Sequence, residues 1–219
     1  MKRKPWIILL IAIIILALLG IGYHLYKLSA LKSALKPLAL QDEALFEELL
    51  EITKSLPAIT LGELSAITQE NIAARNEIMA KVRAVPPYFY KKQIDLFLKL
   101  MEMENEYALS LVSLKRAWLE AGAQPEEEVV TEVEEIQRGP KQKPLYREKV
   151  FKRTLIKFRG SVDKARAASQ AHLRISQNIL AFEKSNEKAL SAIIPKRNIT
   201  PLLEQLIREE GTRDWGLGM

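Results

Sequence analysis

The chain has 219 residues, no cysteine, nine glycines and ten prolines; 48% of it is hydrophobic, 27% is charged, and the formal net charge is +6. That balance excludes a compositionally disordered chain and leaves room for a membrane segment with one or two domains. The lack of cysteine excludes disulfides, thiolate metal sites and cysteine nucleophiles.

The first element is a membrane helix over residues 6–26. Ile7 to Gly22 contains no polar residue, and 12 of those 16 positions are Ile or Leu. On the insertion scale they sum to roughly −4 to −7 kcal/mol. As a helix, residues 6–26 are about 31 Å long, which matches the hydrocarbon core. Trp6 stands at one end, and Tyr23 and Tyr26 at the other, as membrane-interface anchors. Lys2, Arg3 and Lys4 hold the short tail on the cytoplasmic side, which places residues 27–219 outside the cytoplasm; Lys27, Lys32 and Lys36 weaken that asymmetry. Gly20-Ile21-Gly22 has the small-x-small form of a signal-peptide cleavage site, but the helical pattern continues past it and favours an uncleaved anchor.

Proline and glycine divide the rest into helices. The anchor helix is predicted to stop at Lys36, before Pro37. A short helix follows from Gln41 to Leu56, and Pro57 ends it. Thr60-Leu61-Gly62-Glu63 reads as a capping box opening a helix to Ala84, with Leu61, Leu64, Ile72, Met79 and Val82 on one face. After Val85-Pro86-Pro87, Tyr88 to Ala121 forms the most strongly patterned helix. It carries one stripe through Leu96, Leu100, Met103, Tyr107, Leu111, Leu114 and Trp118, and a second through Ile94, Phe97, Met101, Ala108 and Val112. Gly122 suits its C-terminal cap. Six glutamates between Glu126 and Glu135, followed by Gly139-Pro140, read as an exposed connection with a short helix after Pro125.

A long helix is predicted from Pro144 to Ile193, its stripe running through Phe151, Leu155, Phe158, Val162, Ala165, Ser169 and His172, with a kink expected at Gly160. Thr200-Pro201 starts a short last helix that Gly211 stops. The expected fold is all-α: a single N-terminal transmembrane helix followed by an elongated antiparallel helical bundle. The parts are a tail and anchor at 1–36, a helical hairpin region at 37–122, a charged connection at 123–143, a long and a short helix at 144–210, and a loose tail at 211–219.

No catalytic signature accompanies this pattern. His24 and His172 are far apart and lack the i+4 partner of a metal site, and His172 on a helix stripe reads as a hydrogen-bonded core residue. No phosphate-binding glycine loop, nucleophile elbow or zinc-protease motif occurs. Ala165, Ala167, Ala168, Ser169 and Ala171 form a small-residue patch suited to a bulky partner such as Trp118. No enzyme activity, cofactor or metal is expected.

Between Arg138 and Arg174 stand 12 basic residues and two acidic ones. Lys149, Lys152, Arg153, Lys157, Arg159, Lys164 and Arg166 are therefore candidate contacts for an anionic surface such as lipid or a wall polymer. The competing reading is a solvated helix face partly neutralised by the neighbouring acidic run, which the lack of interleaved aromatics on the polar face favours. Nucleic acid, which only a cytoplasmic location would offer, is the less expected partner. A short basic tail, one membrane helix and a helical bundle resemble the layout of several bacterial envelope families, the LemA-like proteins among them. The motifs that mark that family are not found in Tyr23 to Lys54, so no residue role is carried over. The leading expectation is a non-enzymatic, membrane-anchored scaffold of the cell envelope. Its partners would be the bilayer, through residues 6–26, and a protein or second copy, through helix faces. The alternative is a binder of anionic surfaces (lipid, wall polymer or nucleic acid) through the basic stretch at residues 138–174.

Overall fold

A computed structural model describes residues 5–136, 145–160 and 162–211 of the chain. Most of the described chain is helical, as expected, and a single two-stranded hairpin is the departure from an all-α fold. The order is α1 (Pro5–Ser55), α2 (Leu61–Ala84), α3 (Lys91–Glu120), β1 (Ala123–Ile136), β2 (Leu145–Phe158), α4 (Asp163–Leu190) and α5 (Thr200–Gly211).

The anchor helix does not stop at Pro37. Helix α1 continues through that proline for 51 residues in all, absorbing the separate helix expected from Gln41, and is about 77 Å long. The lost backbone hydrogen bond is offset by burial on both sides: Leu31, Leu35 and Ala39 precede and follow Pro37 in the core, and Pro37 itself faces solvent. The two halves of α1 have different surroundings. From Leu31 onward the helix packs on α2, α3 and α5. Before that, its most apolar 18-residue window has a mean hydropathy of 1.6 and no residue buried in the protein. It is the one helix among the described residues long and apolar enough to cross a bilayer.

Helix α2 opens as read from the sequence. The Glu63 amide donates to the Thr60 hydroxyl at 3.2 Å, and the Thr60 amide donates to the Glu63 carboxylate at 3.0 Å. The Thr60 hydroxyl also donates to the Glu63 carboxylate at 2.7 Å, and this bond, with that from the Thr60 amide, holds the Glu63 carboxyl below its ordinary range. On α3 the first stripe is mostly core, with Leu100, Tyr107, Leu111, Leu114 and Trp118 buried and Leu96 and Met103 half-buried. At the far end of α1, the Lys115 ammonium donates to the carbonyls of Leu56 (2.9 Å) and Pro57 (3.1 Å), satisfying acceptors that a helix C-terminus leaves open.

The region after α3 corrects the sequence reading most. Residues 123–136 are a strand rather than a loop with a short helix, and 145–158 pair with them instead of starting a long helix. The register runs antiparallel from Ala123 opposite Phe158 to Ile136 opposite Leu145. Phe151, Leu155 and Phe158 fit a 4,3 helical spacing, but their segment (Val150-Phe151 and Thr154-Leu155-Ile156) is rich in the β-branched and aromatic residues that favour a pleated surface. β1 carries six glutamates and no base, whereas β2 carries five bases and one glutamate. The register sets Glu128 opposite Arg153, Glu132 opposite Lys149 and Glu134 opposite Arg147, the arrangement of opposite charges that stabilises cross-strand pairs.

The hairpin's base is tied to α3. Gly122, at φ +68°, turns the chain out of the helix, a conformation glycine adopts without strain. The Gly160 amide donates to the Ala121 carbonyl at 3.0 Å, and a Cβ at Gly160 would lie 3.3 Å from that oxygen. Gly160 is thus the exit of a hairpin and not a helix kink, and the helix begins only at Asp163. It ends at Leu190, so Ile193, though buried, belongs to the turn that follows. The expected loop at 139–143 and the tail at 212–219 lie outside the described residues.

Candidate functional site

The largest concentration of polar chemistry is buried where four helices and the α4–α5 turn converge. Asp42 on α1, Arg75 on α2, Glu104 on α3, Glu183 on α4 and Arg197 in the turn are each at most 9% exposed. The Arg75 Nε donates to Asp42 Oδ1 at 2.9 Å and lies 3.3 Å from Glu104 Oε2. Its Nη1 reaches Asn71 Oδ1 (2.9 Å) and Asn105 Oδ1 (3.2 Å). Arg197 faces Glu104 at 2.5 Å, Glu183 at 3.2 Å and Asp42 at 3.9 Å, and its guanidinium carbon sits 5.7 Å from the centre of the Phe46 ring. The amide of Asn198 donates to the Glu43 carboxylate, so the turn is held to α1 by backbone as well as side chain.

Helix geometry explains how these groups come inside. Thr68, Asn71, Arg75, Ile78 and Val82 follow one another at helical spacing on the buried face of α2. On α3, Glu104 sits between Met101 and Ala108 in the second apolar stripe. Burial pushes the Glu104 carboxyl up to about 8; Arg197 opposes the shift and Asp42 adds to it. Burial likewise raises Glu183. Burial works against the Arg197 cation, but Glu104, Asp42 and Glu183 outweigh it and hold its pKa above the ordinary value. Each guanidinium lies against at least two carboxyl groups, so the cluster ties α1, α2, α3 and α4 to the turn.

Beside the turn lies a cleft of about 390 Å³ between α4 and α5. Ion pairs already occupy its walls: Lys184 with Glu204 at 2.6 Å and Lys196 with Glu187 at 2.9 Å. Among the described residues, no group of three or more His, Asp or Glu is placed to hold a metal ion.

His172 is fully buried, as expected of a core histidine, with its ring 4.6 Å from that of Tyr107. Its Nδ1 is 2.6 Å from the Ser110 hydroxyl, which in turn lies 2.6 Å from the Tyr107 carbonyl. With the hydroxyl hydrogen given to that carbonyl, Nδ1 carries the proton and the imidazole is not poised to activate the serine. The small-residue patch receives Trp118 as expected, its indole N–H pointing at Ser169 Oγ across 3.4 Å.

A second grouping surrounds the end of the apolar half of α1. The turn between α2 and α3 brings Tyr90 to His24, hydroxyl to Nε2 at 3.0 Å, and Tyr88 under the Lys27 ammonium, 4.6 Å from ring centre to nitrogen. Phe89 lies 5.5 Å from the His24 ring and is 71% exposed. Tyr23 and Tyr26 are also exposed, while the side chain of Trp6 lies outside those described.

The proposed anionic-surface residues are not gathered on one helix face. Lys149, Lys152, Arg153 and Lys157 fall on β2, where their side chains lie outside those described. Arg159 is exposed beyond the strand, and on α4 Lys164 is exposed and Arg166 half-buried; Lys164 pairs with Glu120 at 3.6 Å. The sequence reading missed Asp42, Arg75, Glu104, Glu183 and Arg197. One signal pointed to Glu104: the stripe through Ile94, Phe97 and Met101 skips to Ala108, and Glu104 fills the gap. The chain matches no family model, no curated protein and no solved structure.

Proposed function

We propose that this protein is a membrane-anchored, non-enzymatic scaffold of the cell envelope, held by residues 6–26 with its bundle and hairpin outside the cytoplasm. One observation carries the reading. Helix α1 is continuous from Pro5 to Ser55, yet the side chains described from Ala12 to Gly22 are all exposed, while the part from Leu31 onward is core. An exposed surface of Ile and Leu this long needs a non-aqueous environment. Cleavage near Gly22 would separate that half from a helix whose next turns already touch the bundle through His24 and Lys27, which favours a retained anchor. The acidic strand opposite the basic one lowers the net charge that an anionic polymer would meet, which favours the scaffold over the anionic-surface binder.

The test is fractionation of the full chain followed by alkaline carbonate extraction, with topology reporters fused at the C-terminus. Retention in the pellet with an extracytoplasmic reporter is the expected result. Release into the soluble fraction would overturn the anchor, and a cytoplasmic reporter would overturn the envelope assignment.

A further inference from the structure

We propose that the corner joining α2 to α3, Tyr88-Phe89-Tyr90-Lys91-Lys92, is a second membrane contact, seated in the lipid headgroup layer beside the anchor helix. This rests on the anchor reading above.

The height of the corner follows from α1. Its contacts are with His24 and Lys27, which bracket Tyr26 at the end of the span, from about 3 Å inside that end to about 2 Å beyond it. The headgroup layer on one side of a bilayer is roughly 5–8 Å thick and begins where the hydrocarbon ends, so a corner fixed to those residues lies at its inner edge.

The chemistry suits that layer. Phe89 is 71% and Tyr88 41% exposed, next to Tyr23 and Tyr26 at 57% and 67%. Aromatic rings concentrate at this depth in membranes, and an exposed phenylalanine beside three tyrosines is an unfavourable surface in water. Lys91 and Lys92 follow, both exposed, and with Lys27 they present cations where lipid phosphates lie. No acidic residue occurs from Val85 to Ile94.

The backbone holds the corner in place. Pro86-Pro87 precede it, the Tyr90 amide closes a turn onto the Pro87 carbonyl at 2.7 Å, and Tyr88 is the one non-glycine residue with positive φ (45°) among those described. A tyrosine held in that region is a strained feature of the kind that collects at functional surfaces.

Because the chain has no cysteine, single labels are easily placed. Full-length Phe89→Cys, Leu16→Cys and Leu119→Cys, each carrying an environment-sensitive fluorophore, are reconstituted in vesicles of zwitterionic and anionic phospholipid. Quenchers sit either near the headgroup or at mid-chain, and Tyr88→Cys serves as a second corner label. Matching circular dichroism and thermal midpoints establish folding.

The label at 16 should be quenched most by the mid-chain quencher, those at 89 and 88 most by the headgroup quencher with blue-shifted emission, and that at 119 by neither. Labels at 89 and 88 that remain as water-exposed as 119, with 16 buried, overturn the second contact and leave the anchor standing. A water-exposed label at 16 overturns both.

Discussion

Arg197, in the turn after α4, lies 2.5 Å from Glu104 in the middle of α3. The two meet in the interior with Asp42 and Glu183 beside them, so the contact fixes the end of α4 against α1 and α3 at once. Removing one member of a buried pair leaves the other charge uncompensated, at a cost of about 3–5 kcal/mol. Arg197→Ala should therefore lower stability by that amount in denaturant titrations above about pH 8, where Glu104 is ionised, and by less below it. Replacing Arg197, Glu104 and Glu183 together with apolar residues of similar volume should cost much less than the single change.

The same cluster makes stability depend on pH. With its folded pKa raised to about 8 from an ordinary value of 4.5, Glu104 binds its proton more tightly in the folded than in the unfolded state. Stability should be highest at the acid end of that window and fall as pH rises through it to about 8, with a slope of at most about 1.4 kcal/mol per pH unit for one proton. Glu183 shifts in the same direction. Thermal melts between about pH 5 and 9 should show the decline, and Glu104→Gln should flatten it.

Two local devices give smaller effects. Thr60→Ala removes the hydroxyl that accepts from Glu63 and should cost about 1 kcal/mol. Gly122→Ala forces a side chain into φ +68° and brings it within 3.4 Å of Arg159 Cβ; a loss of about 1 kcal/mol is expected. Amide exchange should show that the second change loosens the hairpin base before the bundle.

Trp118→Ala should be among the most damaging single changes, at about 3–5 kcal/mol, because the ring is 2% exposed and fills the gap left by small residues on α4. Lys115→Met tests a different cause. It keeps most of the volume but strands the carbonyls of Leu56 and Pro57, and should cost about 1–3 kcal/mol. Burial lowers the Lys115 pKa, so the wild-type bond should also weaken on the alkaline side earlier than for an ordinary lysine.

Where the sequence was legible, a local rule and the tertiary structure agreed. The capping box at Thr60 and Glu63, the Tyr107 to Trp118 stripe and the buried His172 follow from spacing alone. Pro37 was misread because its local cost, about 3 kcal/mol, is offset by the burial of Leu31, Leu35 and Ala39 together with Phe46, Leu49 and Leu50 further along the same helix. The segment from Phe151 was misread because its apolar residues satisfy a helical spacing by coincidence, while the partner that selects a strand, β1, is visible only as a run of glutamates. The buried cluster was illegible for another reason. Charged residues at stripe positions look like interruptions until several helices bring their interruptions to one place, as Arg75 and Glu104 do.

The unbroken path of α1 through Pro37 has a mechanical side. From Leu31 to Ser55 the helix is about 36 Å long, and it is continuous with the apolar half that precedes it. With the apolar half in a bilayer, as proposed, a tilt set by the thickness of the bilayer around it would pass along the continuous helix to the bundle and carry the hairpin through an arc. The bilayer would then set where the distal strands point, and a partner that grips them would pull directly on the anchor.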